Sequence, residues 1–199
     1  MRRSSCRYLI RADLYRVAGK ADRLTLIKWW FTNPNTRFLV IFRLGQRARA
    51  TRGHLPMRFL TARLYKRYSV RYRIEIPFAT KIGPGLRINH WVGGIVVNPK
   101  SRLGTSVTLT PGVIIGSNSR SGAPTIGDRV IINVGAKIIG GVTIGSDCQI
   151  GANAVVVRDI PDGSVAAGVP AKVLEGATPA GSWYRDFVSV LGPPPDDIA

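Results

Sequence analysis

Residues 126–160 read IGDRVIINVGAKIIGGVTIGSDCQIGANAVVVRDI, and their spacing decides the fold. Ile126, Ile132, Ile138, Ile144, Ile150 and Val156 recur at every sixth position. Four residues after each stand Val130, Ala136, Val142, Cys148, Ala154 and Ile160, all small or branched at Cβ except the cysteine. A period of six fits neither the 3.6-residue turn of an α-helix nor the two-residue alternation of a hairpin strand. It fits a solenoid in which a short flat strand and a corner repeat every six residues, three such units closing a triangular coil. The anchor side chains then point inward and stack on their copies one coil away, while Gly127, Gly145 and Gly151 relieve the corners.

Extended backwards, the register runs through Ile115, Leu109, Leu103 and Val97 and then, after a slip, Ile88 and Ile82. The solenoid is expected over about residues 76–162. From Ile115 the next anchor should fall at 121 but falls at Ile126, so five extra residues protrude within residues 118–124. A solenoid tolerates such a loop at little cost, and loops of this kind are where function tends to sit.

Upstream the period changes. Asn33 followed by Pro34 makes an N-cap and first-turn pair. Phe38, Ile41 and Phe42 then share one face of a helix, with Arg43 and Arg47 expected opposite them. Gly53 is expected to end that helix, and a second runs from Pro56 through Phe59, Leu60 and Leu64. A further helix is expected around residues 14–30. The resulting organisation is a basic α-helical domain over residues 1–75, a left-handed parallel β-helix over 76–175 and a Pro-rich tail over 176–199; the fold class is mainly β.

Composition bounds the chemistry. At 199 residues with 45% apolar content the chain can bury a core. Two distant cysteines, Cys6 and Cys148, make no disulfide framework and fit a reducing compartment. With only His54 and His90 among the histidines, no imidazole metal site is expected. No apolar segment follows Met1-Arg2-Arg3, and the longest dense apolar run, residues 38–42, is too short to cross a bilayer, so a cytoplasmic protein is expected.

Several segments resemble the serine acetyltransferase group of hexapeptide acyltransferases. They are residues 74–77 (IEIP), 81–85 (KIGPG), 88–90 (INH), 94–97 (GIVV) and 166–173 (AAGVPAKV). The resemblance implies direct transfer of an acetyl group from acetyl-CoA to an acceptor hydroxyl, with no metal. It places His90 as the general base, a role that needs an imidazole within hydrogen-bond reach of the hydroxyl. It places Glu75, fifteen residues earlier, as the carboxylate that orients the ring, one methylene longer than the family's aspartate. Alone, His90 reads as a partly buried polar residue at a corner, and it is Glu75, the flanking sequence and the scarcity of other histidines that turn the reading to a base; His54 reads as an ordinary surface residue.

The departures from the family bear on the acceptor. Asn89 stands where an acid precedes the base, and the protruding loop, with Gly122 and Ala123, lacks the family's second histidine and the arginine beside it. An acceptor with a carboxylate and an ammonium needs charged partners. These positions, Asn89, Gly122 and Ala123, therefore point to a neutral, hydroxyl-rich acceptor, a sugar of exopolysaccharide, capsule or lipopolysaccharide synthesis; serine itself is the alternative. The resemblance further implies a homotrimer with acetyl-CoA in a groove between neighbouring β-helices, lined here by Ala136, Gly151 and Ala152 with Lys172 near its phosphates; glycine and alanine are also what the corners of this fold require.

The net charge of +18 is concentrated: residues 1–75 carry 19 Lys/Arg against three acids, a net +16. With Trp29, Trp30 and Phe31 this region suits an anionic membrane surface at the inner face of the membrane. Nucleic acid is the rival, with no recognisable motif behind it, and a solvated arginine-rich face is the plainest account. A non-catalytic basic scaffold is the reading from another functional class. The tail ends in Ala199, unlike the isoleucine that usually closes the tail of serine acetyltransferases.

Overall fold

In a computed structural model the chain is described over residues 2–51, 55–90, 93–180 and 186–198. Four helices come first: α1 (Arg3–Ala18), α2 (Arg23–Thr32), α3 (Pro34–Ala50) and α4 (Leu55–Tyr72). Asn33 caps α3 as its sequence requires, its side chain accepting from Thr36 N. The single helix expected around residues 14–30 is two helices. Gly19 ends α1 in the left-handed conformation at φ 74°, and Asp22 starts α2 by accepting from Thr25 N. Gly53 and His54 lie outside the described residues.

Fourteen short strands then wind the β-helix. β1 (Ile74–Glu75), β4 (Ile95–Val97), β7 (Ile114–Gly116), β10 (Lys137–Ile139) and β13 (Val155–Val156) form the first sheet. The second holds β2 (Lys81–Ile82), β5 (Arg102–Leu103), β8 (Thr125–Ile126) and β11 (Thr143–Ile144). The third holds β3 (Arg87–Ile88), β6 (Thr108–Leu109), β9 (Ile131–Ile132), β12 (Gln149–Ile150) and β14 (Val165–Gly168), with β15 (Ala171–Val173) closing it antiparallel to β14. From β1 to β13 each strand pairs parallel with the one three places on, as a left-handed triangular coil demands, and β12 pairs parallel with β14 because the Ile160 bridge takes the place of a strand between them. β1–β12 make four turns, and a partial turn through β13, the Ile160 bridge and β14 ends the stack.

The register reports each irregularity. Ile138 pairs with Val156, Ile126 with Ile144 and Ile132 with Ile150, eighteen residues per turn. Across the protruding loop the spacing is 23, as in Ile115 with Ile138 and Leu103 with Ile126, which confirms five inserted residues. In the first turn it is 21, as in Ile82 with Leu103 and Ile88 with Leu109. The slip is therefore a three-residue insertion between Ile88 and Val97, at the corner that carries His90. All six anchors from Ile126 to Val156 are buried, as are the six residues four places after them.

The helices close the first turn of the stack. Phe38, Leu39 and Phe42 belong to the same apolar cluster as the anchors, with Tyr65, Tyr68, Tyr72 and Phe78 against it. Two expectations are corrected here. Arg43 is not on a solvated face: it is fully buried, bonded to Asp13 and to the carbonyls of Ile82 and Gly83. Phe59 and Leu60 are exposed, and α4 packs through its tyrosines instead. Arg16, also buried, reaches Gly85 O, Ser106 O and the Thr108 hydroxyl. The end of the tail runs back to α1: Phe187 is buried and meets Tyr8 edge-on, Tyr8 Oη donates to Gly192 O at 2.7 Å, and Asp197 accepts from Arg2 N and from the Ser5 hydroxyl. Among the described residues no helix is long and apolar enough to cross a membrane.

Candidate active site

One corner of the β-helix, linking the third sheet to the first, gathers most of the residues singled out from the sequence. Its rungs are turned by Arg73, Gly94, Gly112, Gly135 and Asn153, all at positive φ. The rungs are tied along the stack, Gly112 N donating to Gly94 O, Gly135 N to Pro111 O and Asn153 N to Val134 O. At most rungs the chain turns in a few residues. At the second it carries the three-residue insertion, and there His90, itself left-handed at φ 57°, stands exposed. A non-glycine residue in that conformation is held by its surroundings. The holding bonds are Asn89 N to Leu109 O at 2.9 Å and, from α3, Asn35 Nδ2 to Ile88 O at 2.9 Å.

Glu75 leaves the same corner on the other side. It is the second residue of β1, exposed, and opposite Val96 in register. Its backbone is fixed from the helices: Ile76 N donates to Tyr65 Oη at 2.9 Å and Ser69 Oγ to Ile74 O at 2.7 Å. Burial pushes the Tyr65 hydroxyl above its usual pKa, and the negative charge of Glu75 adds to that rise. His90 and Glu75 thus flank one corner on solvent, but among the described residues no hydrogen bond or ion pair joins them.

Asn89 is half-buried beside His90 and holds the same place in its turn as Thr110 and Asn133, whose side chains donate to Ile132 O and Ile150 O one turn on. Gly122 and Ala123 lie elsewhere, in the loop between β7 and β8, at the far edge of the first sheet. That loop is a closed hairpin. Asn118 bridges Gly122, and its Oδ1 accepts from Arg120 N, Ser121 N and Ser121 Oγ, while Ser121 Oγ accepts from Gly141 N. Arg120 is its sole charged side chain. Within one chain the loop and His90 are separated by the width of the first sheet.

The residues expected along acetyl-CoA follow the His90 corner down the stack. Ala136 is fully buried just past the Gly135 rung, and its amide and carbonyl bond within the coil, to Asn133 O and Ile114 N. Ala152 is exposed at the Asn153 rung, and Gly151, half-buried, stacks against Ala167. Lys172, exposed on β15, stands opposite Ala167 in register. With turns about 4.8 Å apart, the His90 and Asn153 rungs are about 14 Å apart on one edge. This is an open strip with an imidazole at one end and an ammonium at the other. Among the described residues no cluster of His, Cys, Asp or Glu is set to hold a metal.

Sequence reasoning missed the supporting residue Asn35. It is buried, its Nδ2 holds the Ile88 carbonyl two residues before His90, and its Oδ1 has no partner among the described residues. Its position just after the Asn33-Pro34 cap was the available signal, since it places a polar side chain on the inner side of the first helical turn.

Residues 123–158 match the bacterial transferase hexapeptide family, a model of six repeats. The serine acetyltransferase of Helicobacter pylori strain J99 is 42% identical over 104 residues, covering 51% of this chain and 60% of that protein. That of Mycobacterium tuberculosis is 40% identical over 110 residues, covering 54% of this chain and 48% of that protein. The chain thus spans about half the length of the curated relatives it matches. Among solved structures, a soybean serine acetyltransferase apoenzyme superposes with a TM-score of 0.72 at 28% identity, over 86% of this chain and 69% of that one. A serine acetyltransferase in complex with CoA gives 0.66 at 29% identity, over 85% and 68%. The resemblance read from the sequence is borne out: this is a serine acetyltransferase-like chain built on hexapeptide repeats.

Proposed function

We propose that the chain is an acetyl-CoA-dependent O-acetyltransferase with His90 as its general base. The observation that carries this reading is the placement of His90: exposed, held at positive φ on a three-residue insertion, with Glu75 across the same corner. The imidazole takes the proton from the acceptor hydroxyl as its oxygen bonds to the thioester carbonyl carbon. The carbon–sulfur bond then breaks, and the imidazolium returns the proton to the departing thiolate, giving an ester and free CoA thiol. Glu75 orients the ring and stabilises its cation once a bound acceptor draws the two together. The edge running from His90 past Ala136, Gly151 and Ala152 to Lys172 takes the CoA arm, with Lys172 toward its phosphates.

Serine is the acceptor named in the relatives and in the solved structures, and it is the better supported reading. A sugar hydroxyl is the second, favoured by one observation: Asn89 and a loop whose Asn118 and Ser121 are spent on closing the loop itself, leaving Arg120 as its one charged group. Asn89 contacts the acceptor in either case. Gly122 and Ala123 reach it only from another copy, so the working unit of this proposal is a homotrimer with sites between chains. Cys6 and Cys148, both buried free thiols, suit the reducing cytoplasm. Thiol release from acetyl-CoA, measured against serine and a panel of sugars, tests the reading. Turnover with serine alone removes the sugar, turnover with sugars alone removes serine, and no binding of CoA at all would leave a non-catalytic scaffold.

A further inference from the structure

The helix α2 is turned inside out. In an amphipathic surface helix the apolar stripe faces the protein. Here Leu24, Ile27, Lys28 and Phe31, spaced so as to share a face, point to solvent, and the three apolar side chains are 79%, 56% and 74% exposed. Leu26, Trp29 and Trp30 on the other side are only half-buried, and α2 has no buried residue at all. Cations surround the stripe: Arg23 and Lys28 on α2, Lys20 before it, and Arg11, whose Nε donates to Ala21 O. The acids of residues 1–75 offset them only in part. Asp13 is buried against Arg43 and Glu75 belongs to the His90 corner, so Asp22, exposed at the N-cap of α2, is the carboxylate set against Arg11, Lys20, Arg23 and Lys28. Asp197 of the tail sits at the opposite end of α1, beside Arg2 and Ser5.

We propose that this face of α2 docks on an anionic lipid bilayer, its leucine, isoleucine and phenylalanine entering the headgroup boundary and its lysines and arginines meeting the lipid phosphates. Each half of the surface excludes another occupant. A second copy of the face would set cation against cation, and a nucleic acid would satisfy the charges but leave the aliphatic stripe in water. An anionic bilayer takes both. The surface also adjoins the proposed site. Asn33, which ends α2, caps α3, and two residues later Asn35 grips Ile88 O, two residues before His90. Docking therefore brings the His90 corner to the lipid surface; resting on the O-acetyltransferase reading, this deepens it toward an acceptor hydroxyl carried on a lipid.

Flotation of the full chain with vesicles of phosphatidylglycerol and phosphatidylcholine tests the proposal. Binding to the mixed vesicles, absent with phosphatidylcholine alone and lost with added salt, is expected. The double variant Ile27→Ser/Phe31→Ser should bind about tenfold or more weakly, and Lys28→Glu should weaken binding too, both keeping wild-type thiol release with a soluble acceptor. The proposal falls if the chain does not float, if the double variant floats as well as wild type, or if that variant instead dissociates a wild-type oligomer in sedimentation. It falls equally if RNA displaces the vesicles and binds the double variant undiminished. Flotation by a chain that releases no thiol with any acceptor would support the docking surface and remove only the catalytic reading.

Discussion

The Nε of Arg43 lies 2.8 Å from Asp13 Oδ2, and both side chains are withdrawn from solvent. The pair sits where three parts of the chain meet. Asp13 comes from α1, Arg43 from α3, and both reach the first turn of the β-helix: Arg43 donates to Ile82 O and Gly83 O, and Leu86 N donates to Asp13 Oδ1. A buried charge that loses its partner keeps its desolvation penalty. Arg43→Ala and Asp13→Ala should therefore each cost about 3–5 kcal/mol in urea unfolding, and the double variant should cost less than their sum. Additive costs would show that the pair is not coupled.

The proposed base makes a kinetic prediction. His90→Ala should lower kcat for thiol release by about 10²–10⁴, with CoA binding retained because the proposed CoA edge lies farther down the stack. Glu75→Gln should give a smaller loss, since it removes the charge that steadies the imidazolium but not the base. Near-wild-type turnover in His90→Ala would end the mechanism.

In the proposed site the closed loop serves acceptor binding and not folding. Asn118 Oδ1 accepts three hydrogen bonds that hold residues 118–122 together. Asn118→Ala should open the loop to limited proteolysis and raise KM for the acceptor. The KM for acetyl-CoA and the melting temperature should change little, because the stack on either side pairs without the loop.

Phe187 anchors the returning tail. Its ring is fully buried against Tyr8 and Gly85. Phe187→Ala should destabilise the fold by about 3–5 kcal/mol, read as a lower thermal midpoint, and should make the tail susceptible to protease. An unchanged midpoint would mean that the tail adds nothing to the fold.

The thiols are a quieter check. Burial pushes Cys6 and Cys148 above the ordinary thiol range. A higher pKa leaves less thiolate at neutral pH, and it is the thiolate that reacts. Both should resist a thiol reagent in the native protein and react once it is unfolded in denaturant; reaction of either at native rates equal to the denatured ones would contradict their placement.

The β-helix was legible because its rule is local and repeated. A residue at an anchor position finds its own copy eighteen residues away, so the six-residue period alone sets which side chains point inward, and breaks in the period locate the insertions at residues 118–124 and at the His90 corner. The candidate base was named by the family resemblance of the segments around it, and the break in the period shows only that one of two histidines stands at an insertion. What surrounds it was not legible. Nothing near Arg43 in the chain announces Asp13 thirty residues earlier, so a charge that local pattern assigns to solvent ends in the core. Nothing in the period of α2 foretells that its leucine and phenylalanine face outward, because that depends on which side α1 and α3 leave free. The return of Phe187 to Tyr8 and the separation of His90 from the loop by a whole sheet are likewise contacts between distant segments. The sequence determined the coil, through a pattern each turn repeats to the next; the tertiary structure alone decided how helices, tail and corner meet, because those contacts join stretches that share no pattern.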